Sequence, residues 1–240
     1  MIRLMAALLI LTVAAACGDV VVTSAPTSTG PVQGAGNVPD ELTNRGQTSR
    51  AFASVISRVE PVAERECARR TNGVNCDFRI LLDDRANQQA NAFQTLDKNQ
   101  RPIIVFTAAL LDEARNADEI AFVMGHEAAH HIRGHIARQR ENAAAGAVVF
   151  GTLAALTGGD SLAIESAQRI GQQVGARSYS QDFELEADAL GTVITARAGY
   201  DPIKGAEFFS RIPDPGDRFL GTHPPNAQRV EIVRRTAAGL

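Results

Sequence analysis

Lysine is nearly missing from this chain. Of its 24 basic residues only Lys98 and Lys204 are lysines, and the arginines nowhere gather into a basic block. With a formal net charge of -3, that leaves no electrostatic footprint for a nucleic acid, which is excluded as an expected partner. No continuous apolar run reaches the roughly 20 residues of a membrane-spanning helix. The best candidate, Ala143 to Leu156, would be only about 21 Å long as a helix, against a hydrocarbon core of about 30 Å. It is expected to form a buried or surface-docking helix, or a flap over a cleft. No internal repeat is evident. What remains is a chain of 240 residues, 45% hydrophobic and 21% charged, which suits one globular domain and is too short for two generous cores.

Cysteine is also scarce, at three residues, and the first belongs to an address. Arg3, the apolar stretch Met5 to Val13 and the small residues Ala14-Ala15-Ala16 form a leader over residues 1–16. Cys17 follows, as in a bacterial lipobox, although Ala14 stands where Leu is usual; plain secretion with cleavage after Ala16 is the alternative. A lipid on Cys17 would leave Cys67 and Cys76 as a pair able to form a disulfide in an oxidising compartment. Residues 17–40 are rich in Gly, Pro, Ser and Thr without helical or strand period, which predicts a flexible tether. The globular domain is expected over residues 41–240. These features predict export and a lipid anchor in a membrane of the bacterial envelope.

Apolar residues recur at three and four from Thr48 to about Arg69, predicting a helix. Asp77 to Asp83, Asn91 to Leu96 and Pro102 to Phe106 read as strands, with a turn over Asp97 to Gln100, and together predict a small antiparallel sheet. Pro102 suits an edge or a strand start. A sheet edge beside an active site could pair with an extended polypeptide, or the sheet could only cover the core. A short helix is expected over Thr107 to Arg115, with Asn116 and Glu119 capping the next.

That next helix, about Asp118 to Arg138, carries Gly125-His126-Glu127-Ala128-Ala129-His130. The form is H-E-x-x-H. Residues four apart lie about 40° apart around a helix, so His126 and His130 can hold one ion, suited to Zn²⁺, one per chain. Glu127, rotated by about 100°, is placed as a general base toward a water rather than as a ligand. In a continuous helix His131 and His135 point about 140° and 180° from His126, and they read as core or supporting histidines.

A third ligand must come from elsewhere, because Ile136 stands where a third histidine of the metzincin type would be. In Phe183-Glu184-Leu185-Glu186-Ala187-Asp188, Glu184 and Asp188 share a helix face while Glu186 points about 200° from Glu184. Glu184 is the candidate ligand. Asp188 can accept a hydrogen bond from the far nitrogen of a ligand histidine, and Glu186 is left solvated or salt-bridged. Ala129, Ala187 and Gly191 would let the two helices approach closely.

H-E-x-x-H followed some fifty residues later by E-x-E-A-D resembles the HtpX-like zinc metallopeptidases, gluzincins that include the CaaX prenyl endopeptidases. Asn91-Ala92-Phe93, Thr222-His223-Pro224-Pro225 and Arg229 extend the resemblance over residues 48 to 236. The family often has Ser-Arg where Ser180-Gln181 stands here, so the work of that Arg falls to Arg177 or is not done at all. The resemblance implies an α+β, mainly α, zincin-like fold with the sheet near the H-E-x-x-H helix. With the export signal, it implies a zinc endopeptidase acting on unfolded or misassembled polypeptides on the periplasmic side of a bacterial envelope, and it places His223 near the metal. There His223 would donate to the oxyanion or block the open metal position. A latent or non-catalytic zinc-containing chaperone and a closed structural zinc site are the other readings.

Overall fold

The computed structural model describes residues 45–178, 180–212 and 224–240. The leader, Cys17, the tether and His223 lie outside the described residues. The amphipathic stretch near the start forms α1, Arg45–Arg70, with Phe52, Val55, Val59, Val62 and Ala63 on its buried face. That is the three-and-four spacing read from the sequence, extended by about a turn at its start. Cys67, at the buried end of α1, is disulfide-bonded to Cys76, Cα to Cα 5.7 Å. The bond ties the helix to the segment that leads into the sheet.

Three strands follow: β1 Arg79–Asp83, β2 Ala92–Leu96 and β3 Pro102–Thr107. The turn between β2 and β3 is organised by Asp97, whose Oδ1 accepts from the amides of Asn99 and Arg101 at 2.7 and 2.9 Å. This hairpin is antiparallel, with Ala92 opposite Phe106 and Leu96 opposite Pro102. The sheet as a whole is mixed rather than antiparallel, because β1 pairs with β3 in parallel, from Arg79 opposite Ile103 to Asp83 opposite Thr107. The order β1-β3-β2 has a simple cause. Of the three strands, β3 has the buried apolar residues, Ile104 and Phe106, so it takes the centre and its neighbours flank it. Pro102 is tolerated there as the first residue of its strand.

The hydroxyl of Thr107 closes this region. It donates to the Gln89 carbonyl at 3.0 Å, accepts from the Asn91 amide at 2.9 Å, and caps α2, Ala108–Glu113, by accepting from Leu110. Asn116 caps α3, Ala117–Ile132, through Oδ1 and the Glu119 amide at 2.9 Å. Glu119 turns back to the Arg115 amide at 2.8 Å and is gripped by Arg211. The cap is thus a variant of the expected box.

The motif helix ends sooner than its pattern suggests. Arg133 caps it, and Gly134 has φ +66°, a left-handed conformation open to glycine at little cost. A separate helix, α4, His135–Leu156, then leaves in a new direction and pairs with α5, Ser161–Ser178. The two touch backbone to backbone. A Cβ on Gly146 would lie 2.0 Å from the Gly171 carbonyl oxygen, and one on Gly175 2.1 Å from that of Asn142. The run Ala143 to Leu156 is therefore neither buried nor a flap. It is one arm of a helical hairpin, with Val148, Val149, Leu153 and Leu156 exposed. No described helix is long and apolar enough to cross a membrane.

Helix α6, Ser180–Arg197, returns to lie against α3, and Glu66 of α1 receives Arg197 from it. A short α7, Pro202–Ala206, and a 3-10 turn over Glu207–Ser210 precede α8, Asn226–Ala237, which packs on α6.

Candidate metal centre

Helices α3 and α6 cross where both are glycine. A Cβ on Gly191 would lie 2.9 Å from the His126 amide nitrogen, and one on Gly125 2.9 Å from the Gly191 carbonyl oxygen. This contact lets side chains of both helices meet just beyond it. The Nε2 atoms of His126 and His130 face each other at 3.0 Å. Glu184 offers Oε2 at 3.4 Å to the first and Oε1 at 3.3 Å to the second. Ligand atoms of the three residues lie within 4.8 Å of one another, a group able to hold a metal ion. The trio read from the sequence is brought together.

The far nitrogens of both rings are also occupied. His126 Nδ1 lies 2.9 Å from Asp188 Oδ1. Asp188 is fully buried, and Arg229 of α8 holds it through Nε at 2.8 Å and Nη2 at 2.7 Å. Burial alone would raise the Asp188 carboxyl, but Arg229 and His126 outweigh it and keep it below the usual range. Burial would also discharge His126, yet Asp188 and Glu184 outweigh it and push that ring up to about 10 in the metal-free protein. Arg229 lies over the ring of Phe209, 3.8 Å from its centroid.

His130 Nδ1 meets His135 Nδ1 at 2.8 Å, and His135 Nε2 meets Glu186 Oε2 at 3.3 Å. This departs from the expected direction of His135, because the break at Gly134 swings the ring back to the site. It stacks on Phe183 with 8° between planes and 4.6 Å between centroids. Burial and the neighbouring His130 push His135 down to about 4, so it is neutral at pH 7. Glu186 is salt-bridged, as expected, to Arg138 at 2.7 Å. His131 is structural: its Nε2 bonds the Asn75 carbonyl at 2.8 Å and its ring meets Phe78 edge-on.

The group opens on a cleft of about 760 Å³ lined by Gln89 to Gln94, including the start of β2, and by His126, Glu127 and Glu184. Phe208, Phe209 and Ile212 supply apolar wall. Among the described residues β2 has a strand neighbour on one side only.

A sequence model of the family described as Peptidase family M48 matches residues 50–237. The chain belongs to peptidase family M48. Metallopeptidase is therefore its class, and the family expected from H-E-x-x-H and E-x-E-A-D is borne out. This M48 chain is 29% identical over 182 residues to the beta-barrel assembly-enhancing protease of Yersinia pestis, covering 69% of this chain and 36% of that protein. It is 26% identical over 148 residues to the human mitochondrial metalloendopeptidase OMA1, covering 55% of this chain and 28% of that one. The chain spans about a third of the length of the curated relatives it matches.

Two features of the M48 site escaped sequence reasoning. Arg229 was named by resemblance but without its partner, and nothing in the spacing joins it to Asp188, 41 residues away. The His135–Glu186 contact was hidden by the turn, although Gly134 was the signal for it. Arg177 is exposed on α5; the arginines that do reach the acidic residues of E-x-E-A-D are Arg138 and Arg229.

Proposed function

We propose that this M48 chain is a zinc-dependent endopeptidase of the bacterial cell envelope. The observation that carries the proposal is the meeting of two Nε2 atoms and a carboxylate in a cleft that Glu127 also lines. The donor set suits zinc. Bonds of about 2.0–2.1 Å in a tetrahedral site put two nitrogens about 3.3 Å apart, against the 3.0 to 3.4 Å found between these donor atoms. His126, His130 and Glu184 would hold the ion and leave a position open. When bound, zinc supplies a Lewis acid that brings the pKa of a water toward neutrality and polarises a peptide carbonyl.

The chain's own residues do the rest. Glu127 accepts the proton of the attacking water and passes a proton to the departing amine. Asp188, fixed by Arg229, takes the Nδ1–H of His126 and leaves Nε2 free to ligate. The unpaired edge of β2 offers amides and carbonyls to an extended polypeptide lying in the cleft. Such backbone pairing is undemanding of sequence, which suits unfolded or misassembled envelope proteins as substrates. The name of the Yersinia pestis relative, an assembly-enhancing protease, supports that class. The leader-like first 16 residues, Cys17 behind them and the Cys67–Cys76 disulfide support export and a lipid anchor on the periplasmic side. His223 acts on the oxyanion or occludes the open position.

The test is cleavage of casein by purified protein of known zinc content. Wild type is expected to cleave and Glu127→Gln to retain zinc without cleaving. Cleavage by Glu127→Gln at the wild-type rate sinks the mechanism. Should wild type bind zinc and stay inactive, activity gained in His223→Ala identifies a latent peptidase, and continued silence identifies a binding protein.

A further inference from the structure

Each candidate ligand histidine needs its proton on Nδ1, so that Nε2 presents a lone pair. For His126 a buried carboxylate settles this directly. For His130, among the described residues, no carboxylate touches Nδ1; a third imidazole does, at 2.8 Å. A neutral imidazole has one N–H and one lone pair, so in the His130–His135 contact one ring donates and the other accepts. Two arrangements are open, and they have opposite consequences for a metal. If His135 Nδ1 donates, His130 carries its proton on Nε2 and cannot ligate. If His135 Nδ1 accepts, His130 Nε2 is free.

The choice is made at the other end of His135. Its Nε2 faces Glu186 Oε2 at 3.3 Å, and a carboxylate only accepts. A lone pair on Nε2 would face the lone pairs of Glu186, so the proton of His135 is held at Nε2. Its Nδ1 is then the acceptor, and His130 Nδ1–H is the donor. Glu186 cannot turn away, because Arg138 grips both of its oxygens, at 2.7 and 3.2 Å. Nor can the ring, because it is stacked on Phe183, whose ring also lies under the Arg138 guanidinium, 4.3 Å away.

We propose that Glu186 and His135 are positioning residues that fix the tautomer of His130 through a two-step relay, Glu186 to His135 to His130, and so present its Nε2 to the metal. The relay rests on the metal-site reading above. It gives all three acids of E-x-E-A-D a place at one centre: Glu184 as ligand, Asp188 orienting His126 directly, and Glu186 orienting His130 through His135. Each orienting carboxylate is clamped by its own arginine, Arg229 for Asp188 and Arg138 for Glu186.

The experiment measures zinc affinity of the full chain by competition with a chromophoric chelator. It adds the ¹⁵N spectrum of histidine-labelled, zinc-loaded protein, which reports the protonated nitrogen of each ring. Loss of an outer partner of a metal histidine typically weakens the metal by about 10–100-fold. His135→Phe, which keeps a ring to stack on Phe183 but removes the acceptor, is expected to show that loss, and His135→Gln, whose amide oxygen can accept from His130, to recover part of it. In wild type, His130 is expected to carry its proton on Nδ1 and His135 on Nε2. Zinc bound equally tightly by wild type and His135→Phe overturns the relay and shows a packing role. A His135 proton on Nδ1 in the zinc-loaded wild type overturns it even if the variants do not fold. Failure of wild type to bind zinc would strike the metal site itself, which is a different result.

Discussion

Replacing Gly191 with alanine tests how the two halves of the site are held in register. The new Cβ would lie 2.9 Å from the His126 nitrogen, 3.0 Å from its Cα and 3.2 Å from the Gly125 carbonyl carbon. Unstrained carbon contacts are about 3.5–4.0 Å, so α6 must retreat from α3 by about half an ångström. The atoms in the way are backbone of the motif helix, which has no rotamer to change. Overpacking of this kind costs about 1–3 kcal/mol, or about 3–10 °C in Tm for a domain of this size. The larger effect is on the metal, because ligand distances tolerate only about 0.2 Å. Glu184, two turns before Gly191, moves with its helix, and Gly191→Ala is expected to weaken zinc by tenfold or more. The assay is a thermal melt of the metal-free protein beside a chelator competition. Gly146→Ala is the control: it strains the α4–α5 contact, far from the ligands, and is expected to lower Tm while leaving zinc affinity within twofold. Equal zinc affinity in wild type and Gly191→Ala, or equal losses in both variants, would refute the reasoning.

The Cys67–Cys76 disulfide closes a loop of sequence separation 9, worth about 2.7 kcal/mol by loop entropy; reduction, or the double change Cys67→Ser with Cys76→Ser, is expected to lower Tm by about 5–10 °C, and a shift under 1 °C would contradict it. Glu66 is buried and paired with Arg69, Arg70 and Arg197. Burial would raise its carboxyl, but hydrogen bonds from Arg197 and Arg70, with Arg69 added, outweigh burial and hold it below the ordinary 4.5. A depressed carboxyl stabilises the fold above its unfolded pKa and loses that contribution as pH falls through the folded value. Glu66→Gln is therefore expected to cost about 2 kcal/mol at pH 7, with the gap to wild type closing as urea melts are taken below pH 4.5; a gap that is constant with pH would refute the assignment.

The residues readable in advance were those whose relation is local. His126 and His130, and Glu184 and Asp188, are each one helical turn apart, so periodicity alone puts each pair on a face. The close approach of the two helices was legible in Gly191 for the same reason, though its partner is Gly125 rather than Ala129. The parallel pairing of β1 with β3 was not legible, because strand order is decided by which strand buries most, a property of the whole sheet. His135 was misdirected by assuming one continuous helix. A single left-handed residue, Gly134, rotates everything after it. Arg229 and Glu186 find their partners across the fold, where spacing carries no information.

The helical hairpin of α4 and α5 also bears on how the site is assembled. About fifty residues separate His130 from Glu184 along the chain, and closing so long a loop is slow. The Gly146–Gly171 and Asn142–Gly175 contacts span shorter stretches of chain and can form first. The docked hairpin then cuts the effective loop to about twenty residues, and at about 0.6 kcal/mol per doubling of length this removes about 0.8 kcal/mol of closure entropy. A barrier lowered by that much is crossed about four times faster. Among the described residues the hairpin contributes only its base to the cleft, through His135, Ile136 and Gln139, yet it shortens the search by which the two halves of the centre find each other.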